Sequence, residues 1–175
     1  MQSFDNQDTL PLQLTLRPYK RDQDTLLLCR IYREAVMRLG SPYYNAAQRQ
    51  VWALWSQSPQ LVERMLSQGW TIVAVNGGEM AGFAQLHPES YINMLYVAPK
   101  HCRQGIGAAL LKALEEKVLV AGLPVVQAHA SLVSRNLFRK MGYRALAYAP
   151  VTRHGIELPR HLMEKTLSQA TSTGK

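Results

Sequence analysis

The sequence predicts a mixed α/β fold: a mostly antiparallel sheet with one parallel strand pair and helices on both faces. Three observations predict it. WTIVAV (70–75) and MAGFAQL (80–86) flank Asn76-Gly77-Gly78, a strong turn signal for an antiparallel hairpin. YINMLYV (91–97), a helical run and VVQAHA (125–130) follow in the strand–helix–strand order of a parallel pair joined by a right-handed crossover. Helical periodicity occurs both before the hairpin and within the crossover, so helices and strands alternate as in a mixed α/β sheet.

The elements can be justified in order. LQLTLRP (12–18) places Leu12, Leu14 and Leu16 in alternation, the pattern of a half-buried strand. Asp22 precedes a periodic run through Leu28, Ile31, Tyr32, Ala35 and Leu39, which Gly40 and Pro42 end. Asn45 opens a short helical stretch with Val51, Trp52 and Trp55, whose indoles are expected in the core. Ser58-Pro59 reads as an N-cap and first-turn proline for a helix over 59–68. After the three strands, Ile106, Leu110, Leu114 and Val118 mark one face of a helix that Gly122 and Pro124 stop. A helix over 132–141 ends at Gly142 with Lys140 in its last turn. YRALAYAP and IELPRHLMEKTL then predict two closing strands joined around Arg153-His154-Gly155.

Composition bounds the function. With 175 residues and 47% hydrophobic content, the chain suits one domain, expected over 12–167, with flexible tails at 1–11 and 168–175. No apolar run reaches the ~20 residues of a membrane span, and the start lacks the marks of a signal peptide. A cytoplasmic protein with no membrane partner is expected. Cys29 and Cys102 have no metal-ligand or CxxC spacing, so free thiols and no metal are expected. The formal charge of +8 favours an anionic partner. Its positive residues are dispersed and no recognition helix or aromatic-basic motif appears, which argues against nucleic acid.

The junction LYVAPKHCRQGIGAALLKALEEK (95–117) points to that partner. A helix begins with unpaired N–H groups at the positive end of its dipole, and Gly105 and Gly107 let a ligand approach the main chain closely. An anion site is the reading. A dinucleotide fingerprint would need glycines directly after the strand, a third at Leu110 and an acid where His129 and Ser131 stand, and none is present. The Gly-Lys-Ser/Thr of a phosphate loop is absent too.

Val97-Ala98-Pro99 followed by Cys102-Arg103-Gln104-Gly105-Ile106-Gly107, with LFRKMGY (137–143) downstream, resembles the GCN5-related N-acetyltransferase (GNAT) family over most of the folded chain. YINML, HAS and FRKMGY further resemble a bacterial subgroup of uncertain substrate. The resemblance implies acetyl-CoA as cosubstrate. The loop amides of Arg103, Gln104, Gly105, Ile106, Gly107 and Ala108 would hold its pyrophosphate, and the main chain of Leu95, Tyr96 and Val97 its pantetheine arm where the parallel strands splay. Lys100, Arg103, Arg135 and Arg139 would supply positive charge on or near the rim. Four positions depart from the family pattern: Cys102 for Gln or Arg, Ser131 for Asn, Asn93 for Glu and Phe138 for Tyr. Ser131, Cys102 and Phe138 remain cofactor-binding candidates.

The chemistry sets what must be replaced. An alkylamine of pKa near 10 is only ~0.1% neutral at pH 7, a handicap of ~4 kcal/mol, so a base is needed. A thiol pKa of ~8.5 makes the leaving thiolate tolerable without an acid. His129, at the end of the strand forming one lip of the splay, is the chosen base. A strand-end histidine bonded to backbone is the alternative. Glu89 and Tyr44 are the other catalytic candidates, with His87, Tyr43 and His154 behind them. The expected activity is acetyl transfer to an amine, small molecule or protein, by direct attack. An acyl-CoA-binding module that has lost catalysis is the alternative.

Overall fold

The computed structural model describes residues 13–167, so Leu12 and the two expected tails lie outside the described residues. A seven-stranded sheet runs in the order β1 (Leu14–Pro18), β2 (Trp70–Asn76), β3 (Glu79–Leu86), β4 (Tyr91–Val97), β5 (Val125–Ser131), β9 (Arg160–Thr166) and β6 (Arg144–Tyr148). The β4–β5 pair is parallel and every other neighbouring pair antiparallel. The mixed sheet is the one expected. Gly77 and Gly78 both take positive φ in the β2–β3 turn, at 58° and 82°, which the primed hairpin turn demands.

Helices cover both faces. α1 (Arg21–Glu34), α2 (Ala46–Ala53) and α3 (Pro59–Gln68) precede the hairpin, and Leu28, Tyr32, Val62 and Leu66 pack against Val73, Phe83 and Met94. On the opposite face α4 (Ile106–Val120) places Leu110, Leu114 and Val118 against Ala84, Ile92, Ala128 and Met163. Leu110 and Leu114 are fully buried, contributing roughly 1.5–3 kcal/mol each by area removed from water. α5 (Arg135–Lys140) adds Phe138 to that core.

Four local expectations are corrected. Two closing strands were expected, but β6 and β9 join the main sheet while β7 (Val151–Arg153) and β8 (Ile156–Leu158) form a separate hairpin. Pro150 and Pro159, which have no N–H for a ladder, stand at the breaks. α5 is shorter than 132–141 because the Ser131 hydroxyl accepts from the Ser134 amide at 3.1 Å, a local turn that delays the helix. Ser58 precedes α3, but its side chain makes no cap bond; its carbonyl accepts from Leu61 and Val62. The helix ending at Gly40 is π-helical over its last five residues, Ala35–Leu39. Asn45, by contrast, makes a reciprocal capping box with Gln48.

The first strand is tied to α1 by one ion pair. Arg17 grips Asp24 with two hydrogen bonds of 2.7 and 2.9 Å, and the Lys20 amide donates to the same carboxylate at 2.7 Å. Burial alone would raise the Asp24 carboxyl, but these donors and the Arg17 charge outweigh it and hold it below its ordinary value. A carboxyl lowered on folding adds stability above its unfolded pKa of ~3.9 and loses it as pH falls through the folded value. Asp24→Ala should therefore cost about 2–3 kcal/mol at pH 7, by the worth of hydrogen bonds to a charged group. In chemical denaturation the gap between mutant and wild type should close as pH drops toward 3.

Candidate functional site

The parallel ladder between β4 and β5 has only two residue pairs, Tyr91 with Gln127 and Ile92 with Ala128. Beyond them the strands part. The space they leave continues into a cavity of about 590 Å³, walled by β4 at Leu95, Tyr96 and Val97 and by the loop into α4. Ser131, Val133 and Leu137 close one side, and Ala35, Val36, Arg38 and Leu39 of the π-helical turn close another.

The loop presents a run of main-chain donors. Among the described residues, the N–H groups of Arg103, Gln104, Gly105, Ile106, Gly107 and Ala108 donate to no backbone or side-chain acceptor; the helical bonding resumes at Ala109, whose amide donates to Gly105 at 3.0 Å. Gly105 holds φ +79 at the N-cap, a left-handed conformation that glycine takes without strain. Gly107 has a different reason. A Cβ there would lie 2.9 Å from Leu137 Cδ2, so its lack of a side chain lets α5 close against the loop. Arg103 is left-handed too, at φ 61, although it is not glycine. Unused amides at the positive end of a 15-residue helix can hold an anion.

The structure brings the cofactor-binding candidates Leu95, Tyr96, Val97, Cys102, Arg103, Gly105, Ile106, Gly107, Ala108 and Ser131 together around this cavity. It turns the Gln104 side chain away, accepting from Asn76 at 3.0 Å. The expected rim charges are corrected in part. Arg103 lines the cavity, but Lys100 is paired with Glu79 at 2.6 Å, Arg135 lies 3.5 Å from His161 Nε2, and Arg139 is outside the wall. Arg38 and Lys140, neither of which the sequence reading put on the rim, line the cavity in their place.

A smaller adjoining cavity shares Leu95, Tyr96 and Ser131 with the first and adds Asn93, His129 and Phe138. His129 Nδ1 is hydrogen-bonded to the Tyr91 hydroxyl rather than to backbone. Burial, and then the positive charge of Arg160, push the imidazole below its ordinary pKa, so it is neutral at pH 7. Phe138 is buried and packs edge-on against Tyr143. Asn93 donates to Gln85 at 2.8 Å.

Tyr44 and Glu89 are not brought to either cavity. The Tyr44 hydroxyl donates to the Pro159 carbonyl at 2.6 Å and accepts from the Leu132 amide at 2.9 Å, which makes it a strut between the ends of β5 and β9. Glu89 is exposed in the β3–β4 turn, and His87 and His154 also stand outside both walls. Tyr43 lines the larger cavity. Trp52 packs against the core but also faces both cavities, its indole N–H 3.3 Å from the Tyr96 hydroxyl; Trp55 packs against the same core. No helix among the described residues is long and apolar enough to cross a membrane.

Comparison with known proteins agrees with this geometry. Residues 41–167 match the model of the acetyltransferase (GNAT) domain. Over 119 residues, 68% of this chain and 74% of the other, the sequence is 30% identical to the uncharacterized N-acetyltransferase YafP of Escherichia coli (strain K12). A crystal structure of a GCN5-related N-acetyltransferase from Rhodopseudomonas palustris is similar with a TM-score of 0.85 and 29% identity, covering 87% of this chain and 95% of that one. The PaiA N-acetyltransferase of Thermoplasma acidophilum, solved in complex with coenzyme A, shares the fold at a TM-score of 0.72 and 16% identity over 89% and 99% of the two chains. With the domain match spanning most of its length and a splayed parallel pair at its centre, this chain belongs to the GCN5-related N-acetyltransferase family.

Proposed function

We propose that the protein transfers the acetyl group of acetyl-CoA to a primary amine, small molecule or protein, by direct attack and without a covalent enzyme intermediate. The observation that carries this reading is the run of unused amides from 103 to 108 beside a cavity large enough for an extended ligand arm. Those amides hold the pyrophosphate, with Arg103 and Lys140 adding positive charge at the wall. The edge of β4 beyond Ile92 has no ladder partner in β5, which leaves main chain near Leu95 and Val97 for the amides of the pantetheine arm. The complex of PaiA with coenzyme A supports the assignment by likeness of fold.

In the transfer, the amine nitrogen forms the new C–N bond, the C–S bond breaks with its electron pair on sulfur, and one amine proton leaves. His129 takes that proton. Its neutral form dominates at pH 7, and it shares a cavity wall with Leu95 at the splay. The role requires the tautomer in which Nδ1–H donates to the Tyr91 oxygen and Nε2 keeps a free lone pair. Glu89 is outside both cavities and the Tyr44 hydroxyl is bonded on both sides, so His129 is the strongest of the three candidates. Phe138 cannot supply a proton, and the thiolate departs unassisted or takes one from water. Loss of acid and base at 138 and 93 favours one rival, a catalytically impaired acyl-CoA-binding module. CoA release during steady-state incubation with an amine panel separates the two.

Two outcomes test the reading. Saturating acetyl-CoA should raise the melting temperature, since a ligand at 100 times its Kd adds about 2.7 kcal/mol. Ala108→Glu, a carboxylate in the first turn of α4 where the dipole favours it, should fold normally yet abolish that shift; a preserved shift would remove the phosphate assignment. With a reactive amine, kcat/KM should rise with pH through a midpoint below the ordinary histidine value of ~6.5. His129→Ala should lose that limb and ~10²- to 10⁴-fold in rate at pH 7, with partial recovery at high pH. An unchanged pH profile would return His129 to a structural role.

A further inference from the structure

Asn93 stands where an acid is usual in this family, and the polar chain behind it gives it a different use. The chain starts at the C-terminal turn of α3. Thr71 is a buried residue whose hydroxyl donates to the Leu66 carbonyl at 2.7 Å, so its oxygen is left as an acceptor. Gln85, fully buried, fills that acceptor with its amide nitrogen at 3.0 Å and donates to the Met65 carbonyl at 2.8 Å. Both amide hydrogens of Gln85 are thereby committed, and only its carbonyl can face Asn93. Asn93 must then present its own NH₂ to Gln85, as the 2.8 Å bond records. Each bond fixes the direction of the next. What remains is the Asn93 carbonyl oxygen, which accepts no hydrogen bond among the described residues, on a side chain that lines the smaller cavity with His129.

We propose that Asn93 is a catalytic residue of the transfer, its carbonyl oxygen holding one N–H of the acceptor amine, and that Gln85 and Thr71 are positioning residues that aim it. The proposal rests on the acetyltransferase reading above. It deepens that reading in two ways. First, the attacking amine must carry an N–H beyond the one His129 removes, which selects primary amines over secondary ones. Second, the chain begins at Met65 and Leu66, in the last turn of α3, where the carbonyls carry the negative end of the helix dipole. Aligned hydrogen bonds polarise one another by about 10–30% per bond, so the exposed oxygen is more electron-rich than that of a lone amide. An attacking nitrogen gains positive charge as its lone pair is shared. The oxygen is placed to stabilise that charge without taking the proton, which an amide cannot do.

The test has two arms. In ¹⁵N-labelled protein saturated with CoA, the side-chain amide signals of Asn93, assigned by their loss in Asn93→Ala, should exchange slowly with solvent because they are bonded to Gln85. They should shift on adding n-butylammonium and stay in place with tetramethylammonium, which has the charge but no N–H. Fast exchange, or an equal response to both cations, overturns the proposal. The second arm is kinetic and uses whichever of n-butylamine, benzylamine, spermidine and lysine gives the most CoA release. Asn93→Ala and Gln85→Met should each raise KM for the amine roughly tenfold, the worth of one hydrogen bond to a partly charged group. The acetyl-CoA melting shift and the histidine pH limb should persist in both. Thr71→Val replaces Gln85→Met should the latter fail to fold. A positioning variant with wild-type KM overturns the relay. Silence of all four amines would count against the enzymatic reading, while the first arm still decides whether Asn93 binds an N–H.

Discussion

Tyr91 facing Gln127 and Ile92 facing Ala128 are the whole of the parallel pairing between β4 and β5, and the early end of that ladder creates the site. A sheet ordinarily leaves no main chain free in its middle. Here the register between β3 and β4 shifts at Gln85 and Leu86, so Asn93 is an extra residue opposite them and β4 bends as its partner departs. The cavity, the open edge near Leu95 and the position of His129 at the far lip all follow from that bend. The rest of the sheet supplies rigidity. β5 is held along its other edge by seven pairings with β9, from Val125–Thr166 to Ser131–Arg160, so the opening does not loosen the strand that carries the histidine.

Two helix termini of opposite sign meet at this opening. α4 points its N-terminal amides at the cavity from one side of the sheet, suited to a phosphate. From the other side α3 reaches it with its C-terminal carbonyls, through Thr71, Gln85 and Asn93. Neither needs a charged side chain. On the proposed reading, the α4 amides let the loop do without Gln or Arg at Cys102, and the α3 carbonyls, relayed by three side chains, let the strand do without an acid at Asn93. At α4 the donors are main-chain groups that no substitution of a side chain removes, whereas the α3 carbonyls reach the cavity only through the side chains of Thr71, Gln85 and Asn93.

What the sequence made legible follows from how local each signal is. Gly77-Gly78 and Gly105 sit at positive φ, where glycine is the natural residue, so the hairpin and the turn into α4 could be read from a few letters. The apolar face of α4 was equally plain, because Ile106, Leu110, Leu114 and Val118 repeat at helical spacing. Partners set by topology were hidden. Nothing near Lys100 announces Glu79, which arrives from the β2–β3 hairpin, and nothing near Gln104 announces Asn76. Tyr44 read as a candidate beside the acceptor until Pro159 and Leu132, far along the chain, proved to use its hydroxyl. Nothing near Gln85 in the sequence announces the Met65 carbonyl, which its side-chain amide reaches at 2.8 Å. Only the α3 carbonyls beneath it reveal why a glutamine is buried there.

The π-helical turn at Ala35–Leu39 gives the cavity wall a property of its own. A π turn holds one residue more than an α turn, and its wider bonding is easily exchanged for the α pattern when that residue is lost. A single deletion between Ala35 and Leu39 would therefore redraw the wall at Arg38 and Leu39 while leaving the sheet, the loop before α4 and α4 itself unaltered. Change in chain length, rather than replacement of side chains, then becomes a route by which descendants of this protein can reshape the larger cavity while keeping the loop that opens α4.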